Sequence, residues 1–230
     1  RAGLSPNDGP THHGLFDIAY LRCVPNTIIM QPRNEDELAD MLWTCLHTDS
    51  PTFIRYPRGS AVGVSPKEKP EIMEIGKAEV LKEGRDVQFW ALGPWVAEAE
   101  QLARHLEADY PCTIGVVNAR FAKPLDTHLL SEQAPACRLF VTFEDHTTAG
   151  GFGSAVLENL SEQALGAPVE RVGYPDAFMP HGSNTADIRK EAGLDPASLE
   201  NRLRRRLEDF FSAPEKEPVA ETRPLRALPK

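Results

Sequence analysis

The feature that most limits the fold is a regular alternation over the last two-thirds of the chain. Short apolar runs there are separated by stretches of helical periodicity. Val87–Leu92 (VQFWAL), Ile114–Val117, Leu139–Phe143 (LFVTF) and Val169–Val172 read as buried strands. Pro94 opens a helix bearing Val96, Ala99, Leu102 and Leu106, a second covers about Thr127–Gln133, and a third runs from Gly153 to about Ala164. Strands alternating with helices predict an α/β, doubly wound domain with a mostly parallel sheet. Asp195-Pro196 starts the final helix, an N-cap followed by proline at the first helical position. Leu199, Leu203, Leu207 and Phe210 form its buried stripe, while Arg202, Arg204, Arg205 and Arg206 lie mostly off it and read as a solvated face.

The first sixty residues are poorer in strands. Residues 1–13 (RAGLSPNDGPTHH) are dense in turn formers. A short helix is expected from about Leu15 to Arg22, then a strand at Thr27–Met30 closed by Pro32. Asn34 and Glu37 form a helix start signal, and Leu38, Met41, Leu42, Cys45 and Leu46 fall on one helical face. Thr52–Arg55 is a second strand. Two strands and two helices cannot cover both faces of a parallel sheet, so half a domain is expected upstream of Arg1. Ser60–Gly76, with two prolines and mixed charge, reads as a linker. After Ser212, four prolines in eighteen residues predict a disordered tail. The expected division is 1–60, linker 61–76, second domain 77–212 and tail 213–230.

Charge narrows the function classes. With 25 Lys and Arg against 34 Asp and Glu, the net charge is −9. Such a surface repels phosphate backbones and anionic lipid, so nucleic-acid and membrane-surface roles are not expected. Any anion site must be a local cluster of cations. No apolar run approaches the roughly 20 residues of a membrane span, and no signal peptide is recognisable. The four cysteines are scattered without a CxxC pair. Cys23 and Cys45 sit in apolar segments and read as reduced core residues, which points to the cytoplasm.

Asp8-Gly9-Pro10-Thr11-His12-His13-Gly14 is the densest cluster of reactive side chains. Histidine titrates near neutrality, and Asp8 is spaced to orient the His12 ring. The alternative is a hydrogen-bonded turn with exposed histidines. Zinc is disfavoured, because adjacent histidines diverge and no further ligand set accompanies them. Arg55-Tyr56-Pro57-Arg58-Gly59 ends a strand, where α/β folds bind ligands; its guanidiniums suit a phosphate or form structural ion pairs. Gly150-Gly151-Phe152-Gly153 evokes a dinucleotide loop, but Val156 replaces the third glycine and a tight strand-to-helix turn explains it. Glu144, Asp145, His146 and His181 are left between catalytic and structural roles.

Taken together, DGPTHHG, FDIAYLRCVPN and FIRYPRGSAVGV resemble the thiamin diphosphate-dependent enzymes of the transketolase superfamily. The likeness continues through IGKAEV, Asn118–Asp126, FED…GGFGSAV and YPDAFMPHGS, to about residue 211. It implies the second half of a pyrimidine-binding domain over 1–60 and a C-terminal transketolase domain over 77–212. It also implies a carboligase that condenses pyruvate with glyceraldehyde 3-phosphate to 1-deoxy-D-xylulose 5-phosphate and CO2. By the same resemblance Arg1 and Arg58 hold the acceptor's phosphate, His12 stands beside the reacting carbon, and Asp8 is the carboxylate near it. Thiamin diphosphate and Mg2+ are implied as cofactors, with their ligands expected upstream, so the chain alone is expected to be inactive. A homodimer, completed by an N-terminal segment of the same protein, is implied too. Ser5-Pro6-Asn7 departs from the family's small, glycine-containing stretch. The other readings are a non-catalytic assembly fragment, a transketolase proper, or a 2-oxoacid dehydrogenase β subunit.

Overall fold

The structure is a computed structural model that describes residues 1–60 and 62–211; the tail expected at 213–230 lies outside the described residues. In the first part, α1 (Asp17–Arg22), β1 (Ile28–Met30), α2 (Glu35–Cys45) and β2 (Thr52–Ile54) follow one another. The second part begins with β3 (Glu79–Lys82), β4 (Val87–Ala91), α3 (Trp95–Asp109), β5 (Ile114–Asn118) and β6 (Phe121–Lys123). It continues with α4 (Thr127–Gln133), β7 (Leu139–Thr147), α5 (Phe152–Glu162), β8 (Val169–Tyr174), α6 (Thr185–Glu191) and α7 (Pro196–Phe211).

Five strands form the main sheet in the order β3-β5-β4-β7-β8. The β4, β5, β7 and β8 pairings are parallel, and β3 adds an antiparallel edge. Central strands β4 and β7 are buried along their whole length, as expected where helices cover both faces. On one face Phe89, Val141 and Phe143 pack with Leu102 and Leu106 of α3 and Leu199, Leu203 and Leu207 of α7. On the other, Trp90, Val117 and Phe140 meet Leu130 of α4 and Phe152 and Val156 of α5. This is the doubly wound arrangement. Three of the four arginines of α7 are held in ion pairs: Arg202 and Arg206 with Glu170, and Arg204 with Asp109 and Glu200.

A second sheet, β2-β1-β6, joins the two parts. Strand β1 pairs in parallel with β2 and antiparallel with β6, so residues 121–123 share a sheet with the first sixty. Asn34 caps α2 by accepting the Glu37 N–H at 3.0 Å. The apolar stripe read along α2 is its buried face only in part: Met41 is in the core with Cys45 packed beside it, but the stripe's other edge is turned to solvent. Leu42 and Leu46 are 54% and 76% exposed, whereas Glu37, Asp40, Met41 and Thr44 are buried. The cause is the segment after β2, which lies along α2 and needs acceptors for its N–H groups. Asp40 accepts from Glu71 N at 2.7 Å and from Lys67 Nζ at 2.5 Å, and Thr44 Oγ1 accepts from Met73 N at 2.9 Å. Cys23, expected in the core, is exposed and Cys45 half-buried, while Cys112 and Cys137 are the buried thiols; all four are free. No described helix is long and apolar enough to cross a membrane.

Candidate functional site

Residues 1–14 form a loop whose base is closed by backbone pairing. Gly3 N donates to Gly14 O at 2.9 Å and Gly14 N to Gly3 O at 2.8 Å, while Ala2 N donates to Tyr56 O at 2.8 Å. Gly14 is required, because a Cβ there would run into the Arg1 carbonyl oxygen. At the loop's tip Ser5 O accepts from Asp8 N at 3.1 Å and from Gly9 N at 3.0 Å. Gly9 turns the chain at φ +73°, a left-handed conformation open to glycine.

These constraints bring together three of the four residues singled out above. Arg1 Nη1 lies 3.0 Å from Asp8 Oδ2, Arg58 Nη1 donates to the same oxygen, and Arg1 also reaches Ser5 Oγ at 2.6 Å. Partial burial raises the Asp8 pKa, but the Arg58 hydrogen bond and charge, with help from Arg1 and His12, hold it below the ordinary carboxylate value. His12 is exposed, with Nδ1 facing Thr11 Oγ1 at 2.9 Å. The Asp8 carboxylate is thus turned to the arginines, and Thr11 rather than Asp8 meets the His12 ring. Beside them opens a cavity of about 670 Å³ lined by Arg1, His12, Phe16, Tyr20 and Phe53 among others.

The two arginines of RYPRG part company. Arg58 faces solvent, but Arg55 is 3% exposed. It grips Asp17 through Nε at 2.6 Å and Nη2 at 2.9 Å, donates to Gly14 O at 2.9 Å and Asp145 O at 3.0 Å, and reaches Gln31 Oε1. It is a buried structural cation.

The remaining titratable groups also hold structure. Glu144 accepts from Phe152 N at 2.6 Å and Gly153 N at 2.9 Å, so it caps α5. A Cβ on Gly151 would strike this carboxylate, which explains a glycine in the GGFG turn. Burial pushes the Glu144 carboxyl up to about 7, against the opposing pull of the two N–H groups, Arg55 and Arg171. His146, fully buried, has Nδ1 2.7 Å from Thr147 O and accepts from Ala19 N at 3.2 Å through Nε2; burial lowers its pKa. Asp145 faces Arg189 and Gly3. The exposed ring of His181 sits where a Cβ on Gly9 would project. His13, which the sequence does not distinguish from His12, is buried and bridges Ser5 N and Pro180 O. Among the described residues no group of three or more His, Cys, Asp or Glu side chains is placed to hold a metal ion.

Comparison with known proteins gives these residues a setting. Residues 1–62 match the family model for the transketolase pyrimidine binding domain, and 76–199 that for the transketolase C-terminal domain. The 1-deoxy-D-xylulose-5-phosphate synthase of Methylacidiphilum infernorum is 50% identical over 208 residues, 90% of this chain and 32% of that protein. That of Thermomicrobium roseum is 49% identical over 203 residues, 88% of this chain and again 32% of the other. The chain therefore spans about a third of the length of the curated relatives it matches. A split-gene transketolase, solved as an inactive β4 tetramer, superposes with a TM-score of 0.76 at 32% identity, covering 88% of this chain and 65% of its own. A transketolase from Campylobacter jejuni has a TM-score of 0.60 at 19% identity over 86% of this chain and 29% of that one, a likeness of fold alone. With one model matching more than half its length and a second the segment before it, the chain belongs to the transketolase family.

Proposed function

We propose that the chain carries the acceptor-phosphate site of a thiamin diphosphate-dependent carboligase. The reaction is the condensation of pyruvate with glyceraldehyde 3-phosphate to 1-deoxy-D-xylulose 5-phosphate and CO2. One observation supports it above the others: in a protein of net charge −9, Arg1 and Arg58 converge on a single exposed carboxylate oxygen beside His12. Two guanidinium forks around one oxygen anion form a ready receptor for a phosphate dianion, which offers three. Asp8 draws the two guanidiniums together, and on this reading it shares them with the phosphate of the substrate. On this reading His12, exposed and lining the cavity, donates a hydrogen bond or proton to the alkoxide that develops on the aldehyde oxygen.

On this reading thiamin diphosphate and Mg2+ supply the donor chemistry, and the part assigned to Arg1, Arg58 and His12 is the acceptor's. The working assembly on this reading is a cytoplasmic homodimer completed by an N-terminal segment. The isolated chain then serves as an inactive control. In the assembled enzyme Arg58→Ala is expected to raise KM for glyceraldehyde 3-phosphate roughly 10–100-fold, with little change in pyruvate decarboxylation. An unaltered KM removes Arg58 from the phosphate site. His12→Ala is expected to lower kcat by roughly 10²–10⁴. Near-normal turnover would deny His12 its part in proton transfer.

A further inference from the structure

We propose that His13 is a positioning residue for the acceptor site, and that it acts by clamping the 1–14 loop to the segment 178–182 between β8 and α6. The inference rests on the acceptor-site reading above. His12 and His13 are neighbours whose rings point opposite ways: His12 is exposed, whereas His13 is 8% exposed. Nδ1 of His13 accepts from Ser5 N at 2.8 Å, so that nitrogen carries no proton. The proton is on Nε2, which donates to Pro180 O at 3.2 Å. One neutral tautomer satisfies both bonds, and the ring is a fixed spacer between two loops.

What this spacer holds is the hub of the site. Ser5 Oγ accepts from Arg1 Nη1 at 2.6 Å, and Ser5 O accepts from both Asp8 N and Gly9 N. A displacement of Ser5 therefore moves a phosphate-binding guanidinium and the Asp8 turn together. The segment across from it makes further contacts with the same loop. Gly182 N donates to Pro6 O at 3.3 Å and the His181 ring fills the space a Gly9 side chain would need, while just beyond the loop Phe178 packs edge-on against Phe16 with centroids 5.8 Å apart. Leu4 and Leu15, at either side of the loop, lie in the same apolar cluster as Phe89, Val141 and Val172 of the main sheet. The C-terminal part thus sets the shape of a site whose ligating groups all come from the first sixty residues.

The test separates positioning from bulk stability. His13→Phe keeps the volume and removes both bonds, and His13→Gln keeps one acceptor and one donor. In the assembled enzyme His13→Phe is expected to raise KM for glyceraldehyde 3-phosphate about tenfold, pyruvate decarboxylation staying within about twofold, and His13→Gln to recover most of the loss. Hydrogen exchange on the 230-residue chain should show residues 5–12 opening faster in His13→Phe while β4 and β7 stay protected. Should His13→Phe not fold, His181→Ala, which alters an exposed ring, decides the matter with an expected rise in KM of about threefold. Arg58→Ala run alongside distinguishes the two levels. If it leaves KM unchanged, the acceptor reading fails; if it raises KM while the His13 or His181 variant does not, the positioning role alone is overturned.

Discussion

Glu144 is a carboxyl with no access to water, held between two helix N–H groups and pushed up to about 7 by burial. Between its ordinary value of 4.5 and about 7 the folded chain keeps a proton that the unfolded chain has lost. Folding is then favoured by this group at low pH, and the contribution fades as pH rises through that window. A carboxyl displaced that far is worth on the order of 3 kcal/mol. His146 acts in the opposite sense, since burial lowers its pKa and its contribution is lost as pH falls below its ordinary 6.5. Glu144→Gln isolates the first effect. Urea unfolding at about pH 5.5 and about pH 8 should show the wild type losing stability relative to Glu144→Gln as pH rises. Parallel pH profiles would show that Glu144 ionises normally in place.

Among the elements, those legible in the sequence are the ones whose pattern is local and strong. Strands β4 and β7 are uninterrupted apolar runs because helices cover both their faces, and α4 begins at an N-cap aspartate whose side chain accepts from Leu129 N. Strands β3 and β6 and helix α6 escape such a reading. The three residues of β6 are a strand because β1, some ninety positions away, offers them an edge. The face of α2 is misread for a related reason, since the segment strapped along it calls for Asp40 and Thr44 rather than Leu42 and Leu46. The site divides the same way. Nothing local marks Arg1, Asp8 and Arg58 as neighbours: two backbone bridges, Gly3–Gly14 and Ala2–Pro57, close that distance. The family resemblance singles them out without explaining the geometry. It does not distinguish Arg55 from Arg58 by burial, and it passes over His13.

At the scale of the whole molecule, the two parts are joined by numerous polar contacts, most of them wholly or partly buried. Glu37 accepts from Asn118 Nδ2 at 2.8 Å and Arg120 Nε at 2.9 Å, Lys123 Nζ donates to Arg22 O and Val24 O, and His146 accepts from α1. Arg55 sits at the centre of this junction. Its guanidinium serves Asp17 and Gln31 within the first part, Gly14 at the base of the 1–14 loop and the carbonyl of Asp145 near the end of β7. Arg55→Met keeps the bulk of the stem and leaves the Asp17 carboxylate, largely shielded, without its cation. Breaking a buried pair from one side is expected to cost about 3–5 kcal/mol. Removing both charges is milder, because no uncompensated ion remains, so Arg55→Met with Asp17→Leu should recover about half of that loss or more. The readout is the urea midpoint at an unchanged m-value, which assigns the difference to stability rather than to a more open native state. A single variant costing less than about 1 kcal/mol would place Arg55 among weakly coupled surface pairs. The junction would then depend on the apolar contacts of Leu4 and Leu15.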